Sequence, residues 1–117
     1  MKQARNHLAG LAAEDSVLRD YCAKGYRLLE RRYRGQGGEI DLVLARGQDV
    51  IFVEVKKSRS FDAARLRLGE RQIGRIFAAA SEFLGRLPMG QLTETRFDLA
   101  LVNDRGEVAV MENALWP

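Results

Sequence analysis

Apolar residues recur along this chain in two rhythms. From about Gln3 to Lys24, Leu8, Leu11, Ala12, Leu18, Tyr21 and Cys22 return at the spacing of one helix face. Gly25 then ends that helix in the usual way. Residues 26–33 read as a first strand, weakened by the pair Arg31-Arg32, and Arg34-Gly35-Gln36-Gly37-Gly38 as a turn. Residues 39–46 and 50–57 are rich in Ile, Val, Leu and Phe and flank Gly47-Gln48, the pattern of a tight hairpin. A basic loop follows. From about Gly69 to Leu87, Ile73, Ile76, Phe77, Ala80 and Leu84 mark a second amphipathic helix, stopped by Pro88. Residues 95–103 and 107–112 form two further strands around Asn103-Asp104-Arg105-Gly106.

The predicted order is helix-strand-strand-strand-helix-strand-strand. The second helix joins strand 50–57 to strand 95–103, a length that suits a crossover between parallel neighbours. An α/β fold with a mixed five-stranded sheet is therefore expected. At 117 residues, with 46% hydrophobic and 30% charged residues, the chain fits one domain with one real core over 1–117.

The two best strands carry charges where sheet interior is expected. Side chains alternate faces along a strand, so Glu39, Asp41 and Val43 share one face, as do Phe52, Glu54 and Lys56. A hairpin loop of two or of four residues sets Asp41 opposite Glu54 and Glu39 opposite Lys56, with Cβ atoms about 5 Å apart. A three- or five-residue loop slips the register and breaks this; Gly47 at the first turn position favours two. Facing carboxylates repel and normally destabilise a sheet. They become useful around a divalent cation, since Mg²⁺ takes hard oxygen ligands, typically one or two carboxylates with water and phosphate oxygens. Lys56 on the same face suits a role at a phosphate undergoing hydrolysis. The plainer alternative is a surface ion-pair network, with Glu39 on Lys56 and Asp41 solvated.

Other chemistries are narrowed by what is scarce. One cysteine, Cys22, excludes an internal disulfide, and its place in the helical pattern reads as a small buried apolar residue. With His7 as the single histidine there is neither a zinc cluster nor a defensible nucleophile–histidine pair, so any metal is held by oxygen. No apolar run is long enough to cross a membrane. The opening Met1-Lys2-Gln3-Ala4-Arg5-Asn6-His7 is not the apolar centre of a signal peptide, so a cytoplasmic protein is expected. The net charge of +3 says little by itself. Lys57, Arg59, Arg65, Arg67, Arg71 and Arg75, however, fall in one stretch against only Asp62 and Glu70, which reads as a phosphate-facing patch or as a solvated loop and helix face.

Asp41, a hydrophobic hairpin, and then Glu54-Val55-Lys56 resembles the Asp…(Asp/Glu)-x-Lys signature of restriction-endonuclease-like nucleases. More closely, Gly38-Glu39-Ile40-Asp41-Leu42-Val43 with Phe52-Val53-Glu54-Val55-Lys56 is similar to uncharacterised protein family 0102, the YraN-like proteins, relatives of archaeal Holliday-junction resolvases. The likeness continues through Ala12-Ala13-Glu14, Lys24-Gly25-Tyr26-Arg27-Leu28-Leu29 and Arg96-Phe97-Asp98. It implies a restriction-endonuclease-like fold, Asp41 and Glu54 as ligands of Mg²⁺ or Mn²⁺, and Lys56 as the catalytic lysine. A first-helix glutamate that joins the site in resolvase relatives would fall on Glu14, which shares a helix stripe with Leu11, Leu18 and Tyr21; a surface glutamate is the alternative. Glu39 is grouped with the catalytic set through its face. Gln72, from the second helix, is expected either to support the site, to sit with the basic stretch at the nucleic acid, or, like most helical glutamines, to be merely solvated. Asp98 reads as structural. The segment Lys57-Ser58-Arg59-Ser60-Phe61-Asp62-Ala63-Ala64 lacks the glycine often found there and reads as shortened, and Arg71 stands where a lysine is usual.

The expected activity is metal-dependent hydrolysis of phosphodiester bonds in DNA, branched or damaged DNA included. The expected partner is nucleic acid, and a homodimer is required if two strands are to be cut. Two alternatives remain open: a non-catalytic nucleic-acid-binding module carrying a relic site, and a protein-interaction domain using the late hairpin and Trp116.

Overall fold

A computed structural model describes the backbone of residues 2–115 and the side chains of residues 10–115. The expectations at His7 and Trp116 lie outside the described side chains. The described residues form α1 (Lys2–Ala23), β1 (Arg27–Arg34), β2 (Glu39–Arg46), β3 (Asp49–Lys57), α2 (Phe61–Arg67), α3 (Glu70–Leu84), β4 (Thr95–Val102) and β5 (Val108–Met111), with a 3-10 turn at Gly90–Leu92. The strands lie in sequence order in one sheet. β3 and β4 run parallel, while the other neighbours are antiparallel, so the sheet is mixed and α2 and α3 form the crossover.

The basic loop is corrected here, because residues 61–67 are helical. Ser60 opens α2 by accepting the Ala63 amide at 3.2 Å; Ala64 is its buried side chain, and Leu68 is buried just past its end. Seven residues are too few to print a helical period. The following helix ends at Leu84, with the Gly85 amide donating to the Ser81 carbonyl, so Pro88 lies beyond the stop. The buried stripe of α1 is also shifted. Ala13, Glu14, Val17 and Tyr21 face the sheet, while Ala12 and Cys22 are exposed, which overturns the buried reading of the cysteine.

Each face of the sheet packs on a different helix. On one face Ala13, Val17 and Tyr21 meet Leu42, Leu44, Ile51, Val53, Ala100 and Val102. On the other, Ile76, Ala79, Ala80 and Phe83 of α3 cover Ile40, Val43, Phe52, Phe97 and Leu99. The rings of Phe52 and Phe97 stack at 5.2 Å, with Phe77 edge-on to Phe97 at 4.5 Å. Asp98 is fully buried on the α1 side. It accepts from the Tyr21 hydroxyl at 2.7 Å, the Arg96 guanidinium at 2.8 and 2.9 Å and the Asn113 amide at 2.9 Å. Burial and the adjacent Asp98 hold the Tyr21 hydroxyl protonated, and Asp98 is structural as expected.

Two local irregularities position the site. β1 carries a bulge between Leu28 and Glu30, and Arg32 takes a left-handed φ of 55°. The β1–β2 turn also lies hard against α3. A Cβ on Gly37 would come within 2.7 Å of the Ala78 Cβ, and one on Gly38 within 2.7 Å of the Arg75 Cβ and 2.8 Å of its carbonyl oxygen. The Gln36 amide donates to the Glu82 carboxylate at 2.9 Å.

Gly38→Ala should therefore lower stability by about 1–3 kcal/mol, since the contact is partly with backbone. Gly74→Ala, inside α3 with nothing within 4 Å of the added methyl, should raise it by up to about 1 kcal/mol. Urea unfolding of both variants checks the pair; equal effects would contradict the close approach of turn and helix.

Candidate active site

The β2–β3 turn fixes the register. Arg46 pairs with Asp49 and Leu42 with Val53, so the loop is the two residues Gly47 and Gln48, with φ of 62° at Gly47. Continued by one rung, this register sets Asp41 beside Glu54. The backbone ladder ends there, and the Asp41 side chain replaces it by accepting the Val55 amide through Oδ2 at 2.8 Å. Glu54 is buried at 6% exposure. Its Oε1 accepts from Gln72 Nε2 at 3.1 Å and lies 3.4 Å from Lys56 Nζ.

Two acids so placed resist ionising together. Burial, then the charge of Asp41, pushes the Glu54 carboxyl up to about 8, with Lys56 opposing. The Asp41 carboxyl is raised mainly by burial, with Glu14 and Glu39 adding repulsion; the Val55 amide and Lys56 work against the rise.

Glu14 arrives from α1, 6% exposed and facing inward. Two arginines clasp it: Arg31 Nε donates at 3.1 Å, and Arg32 donates from Nε and Nη2 at 3.3 Å each. Neighbours on a regular strand point to opposite faces; the left-handed turn at Arg32 lets two consecutive side chains converge. Arg32 lies between the Arg31–Leu42 and Tyr33–Ile40 rungs, on the rung of Asp41. The residues that spoiled β1 as a strand are thus those that hold Glu14, and sequence reasoning gave them no role.

Other site expectations are rearranged. Glu39 does not pair with Lys56; it is exposed and 3.6 Å from Arg34, while Lys56 pairs with Glu54. Gln72 is engaged with Glu54. Arg65 is committed to the Ala114 carbonyl at 2.6 Å, and Arg67 to the Lys57 carbonyl at 2.7 Å. Lys57, Arg59, Arg71 and Arg75 are exposed and form no ion pair among the described residues.

Asp41 and Glu54 suit a hard divalent cation. The bonds from Val55, Gln72 and Lys56 engage Oδ2 and Oε1, leaving Oδ1 and Oε2 outside them. Among the described residues no cluster of three or more His, Cys, Asp or Glu groups is arranged for a metal. The donor set is then two carboxylates, which matches an ion that keeps several waters and takes phosphate oxygens.

In chelator, between about 4.5 and 8 the folded protein keeps a proton on Glu54 that the unfolded chain has lost. This group's contribution is therefore fully present below about 4.5 and declines as pH rises towards 8. Glu54→Gln removes that decline. Its stability relative to wild type should grow steadily from about pH 5 to about pH 8, by up to about 1.4 kcal/mol per pH unit, and its melting temperature with it. A pH-independent difference in thermal melts would contradict the raised carboxyl.

The model of Uncharacterised protein family UPF0102 matches residues 13–102 of the chain. A UPF0102 protein of Ruegeria pomeroyi is 58% identical over 110 residues, covering 94% of this chain and 89% of the relative. One from Roseobacter denitrificans is 54% identical over 107 residues, covering 92% and 83%, and one from Cereibacter sphaeroides is 52% identical over 109 residues, covering 93% of each. The matched span runs from α1 to the end of β4 and includes Glu14, Asp41, Glu54, Lys56 and Gln72. On this match the chain belongs to Uncharacterised protein family UPF0102.

Proposed function

We propose that this protein is a metal-dependent nuclease that hydrolyses phosphodiester bonds in DNA, branched or damaged DNA among its substrates. The observation that carries the reading is the convergence of two mutually repelling carboxyls, Asp41 and Glu54, with Lys56 at the point where the β2–β3 ladder opens. A fold selected for stability alone has no use for that pairing.

Asp41 and Glu54 would hold Mg²⁺ or Mn²⁺; when bound, the ion lowers the pKa of a water and offsets negative charge on the phosphate. The protein's own groups set the stage. Gln72 and Lys56 fix the Glu54 carboxylate through Oε1, and the Val55 amide fixes Asp41 through Oδ2. Lys56 places an ammonium on the same face, where it orients the attacking water and stabilises charge developing at phosphorus. Glu14, clasped by Arg31 and Arg32, adds negative potential towards Asp41. Lys57, Arg59, Arg71 and Arg75 are exposed, flank Lys56 and Gln72 in the chain, and suit the strand's phosphates.

With Mg²⁺ or Mn²⁺ and a panel of duplex, branched, flapped and single-stranded DNA and RNA, Asp41→Asn, Glu54→Gln and Lys56→Ala should each lower cleavage about a hundredfold or more. Circular dichroism should show each variant folded. Wild-type rates in all three would end the assignment, and salt-sensitive binding without cleavage by the wild type would select the binding module.

Arg59→Ala and Arg71→Ala should weaken binding similarly across sequences. Each should also reduce the slope of log affinity against log salt by about one for every phosphate it no longer neutralises. Arg65 and Arg67 are poorer reporters, because their guanidinium groups already bond backbone carbonyls. Unchanged slopes would move the phosphate-binding face elsewhere.

A further inference from the structure

α2 presents an apolar side chain that nothing in the fold uses. Leu66 is 87% exposed, although the helix carrying it is well anchored. Ser60 caps its start, Ala64 and Leu68 are buried beneath it, and Arg65 and Arg67 tie it to the Ala114 and Lys57 carbonyls. Leu66 borders an open groove of about 510 Å³ with Lys57, Ser58, Arg59, Ala63 and Arg67. Three of those six residues are cationic, and Asp62 and Glu70, the acids of this segment, do not line it. The charge of the groove is therefore complementary to a polyanion.

The groove adjoins the acid pair along the chain. Lys57 directly follows Lys56, and Arg67 bonds the Lys57 carbonyl at 2.7 Å. At the other end, Leu68 and Gly69 lead into α3, whose Gln72 holds Glu54. Arg67 and Gln72 are five Cα-to-Cα steps apart along the chain, so their Cα atoms are at most about 18 Å apart.

An apolar side chain between cations is the arrangement that proteins use to enter a base step, with phosphates held on either side. The strength of one leucine decides which step it can enter. Covering it is worth about tenfold to a hundredfold in affinity, which is comparable to or less than the cost of opening a stacked, paired step. A lone leucine therefore does little on intact duplex and contributes fully where a base is already unstacked.

We propose that Leu66 is a wedge for an unpaired nucleotide beside the scissile phosphate, with Lys57 and Arg59 holding the flanking phosphates and Arg67 bracing the Lys57 backbone. The inference rests on the nucleic-acid reading above. It gives that site a preference for DNA carrying an unstacked base over continuous duplex.

Binding is measured in chelator, so that cleavage plays no part, by fluorescence anisotropy on a short duplex and on the same duplex carrying a small bulge with 2-aminopurine beside it. Wild type should bind the bulged DNA about tenfold tighter than the duplex and change the 2-aminopurine emission. Leu66→Ala should lose most of that ratio and the emission change. Leu92→Ala, also at an exposed leucine (81%) but in the 3-10 turn before β4, should keep both. Equal wild-type affinity for the two DNAs, no binding to either, or a ratio unchanged in Leu66→Ala would each overturn the wedge. So would a Leu66→Ala variant that differs only in self-association by sedimentation, which would assign Leu66 to a protein contact. Bulge preference without metal-dependent cleavage would remove the nuclease reading and leave the wedge; cleavage without the preference would do the reverse.

Discussion

The register of one hairpin governs this molecule. A two-residue turn with left-handed Gly47 fixes β2 against β3, and a slip of one residue would send every side chain of one strand to the wrong face. If β2 slipped, Ile40 and Val43 would leave the α3 core and Leu42 and Leu44 the α1 core; if β3 slipped, Phe52 and Val53 would do so instead. Both cores therefore enforce the register that also holds Asp41 beside Glu54. Hydrophobic burial on two faces keeps together two carboxyls that repel one another, and the site inherits its geometry from packing that has no part in chemistry.

The surroundings answer that repulsion only in part. Among the described residues no fully buried side-chain polar atom lacks a hydrogen-bond partner, and Asp41 Oδ2 and Glu54 Oε1 are both engaged. Their charge is not. Lys56 is the one cation within ion-pair distance of Glu54 among the described residues, while the nearby arginines Arg31 and Arg32 are spent on Glu14. Asp98 makes the contrast. That carboxylate is more deeply buried, yet it faces the Arg96 guanidinium, a hydroxyl and an amide, and it needs nothing further. One acid is a finished structural joint. The other two are left with room for positive charge.

What could be read from the sequence divides by range. Asp41, Glu54 and Lys56 were legible because strand alternation and a two-residue turn are local rules that act over a few residues. Glu14 was legible as inward-facing from its helix stripe, but not its arginine clasp. That contact spans 17 and 18 residues and depends on a left-handed Arg32 that no alternation rule anticipates. The pairing of Glu39 with Lys56 failed because Asp41 takes over the Val55 amide and ends the ladder one rung earlier. α2 was missed because its buried side chains amount to Ala64, with Leu68 just past its end, within a run of arginines. Cys22 was misplaced because the buried stripe of α1 runs through Ala13, Val17 and Tyr21, leaving its neighbour outside.

β1 lies at the edge of the sheet and presents a row of backbone groups that another chain could use as a template. Its bulge, its charged side chains and the left-handed residue at Arg32 bend and crowd that row. The same distortion that folds two arginines around Glu14 is thus of the kind that discourages edge-to-edge pairing. Continuation of the sheet into a neighbouring chain is disfavoured at β1 for the same reason.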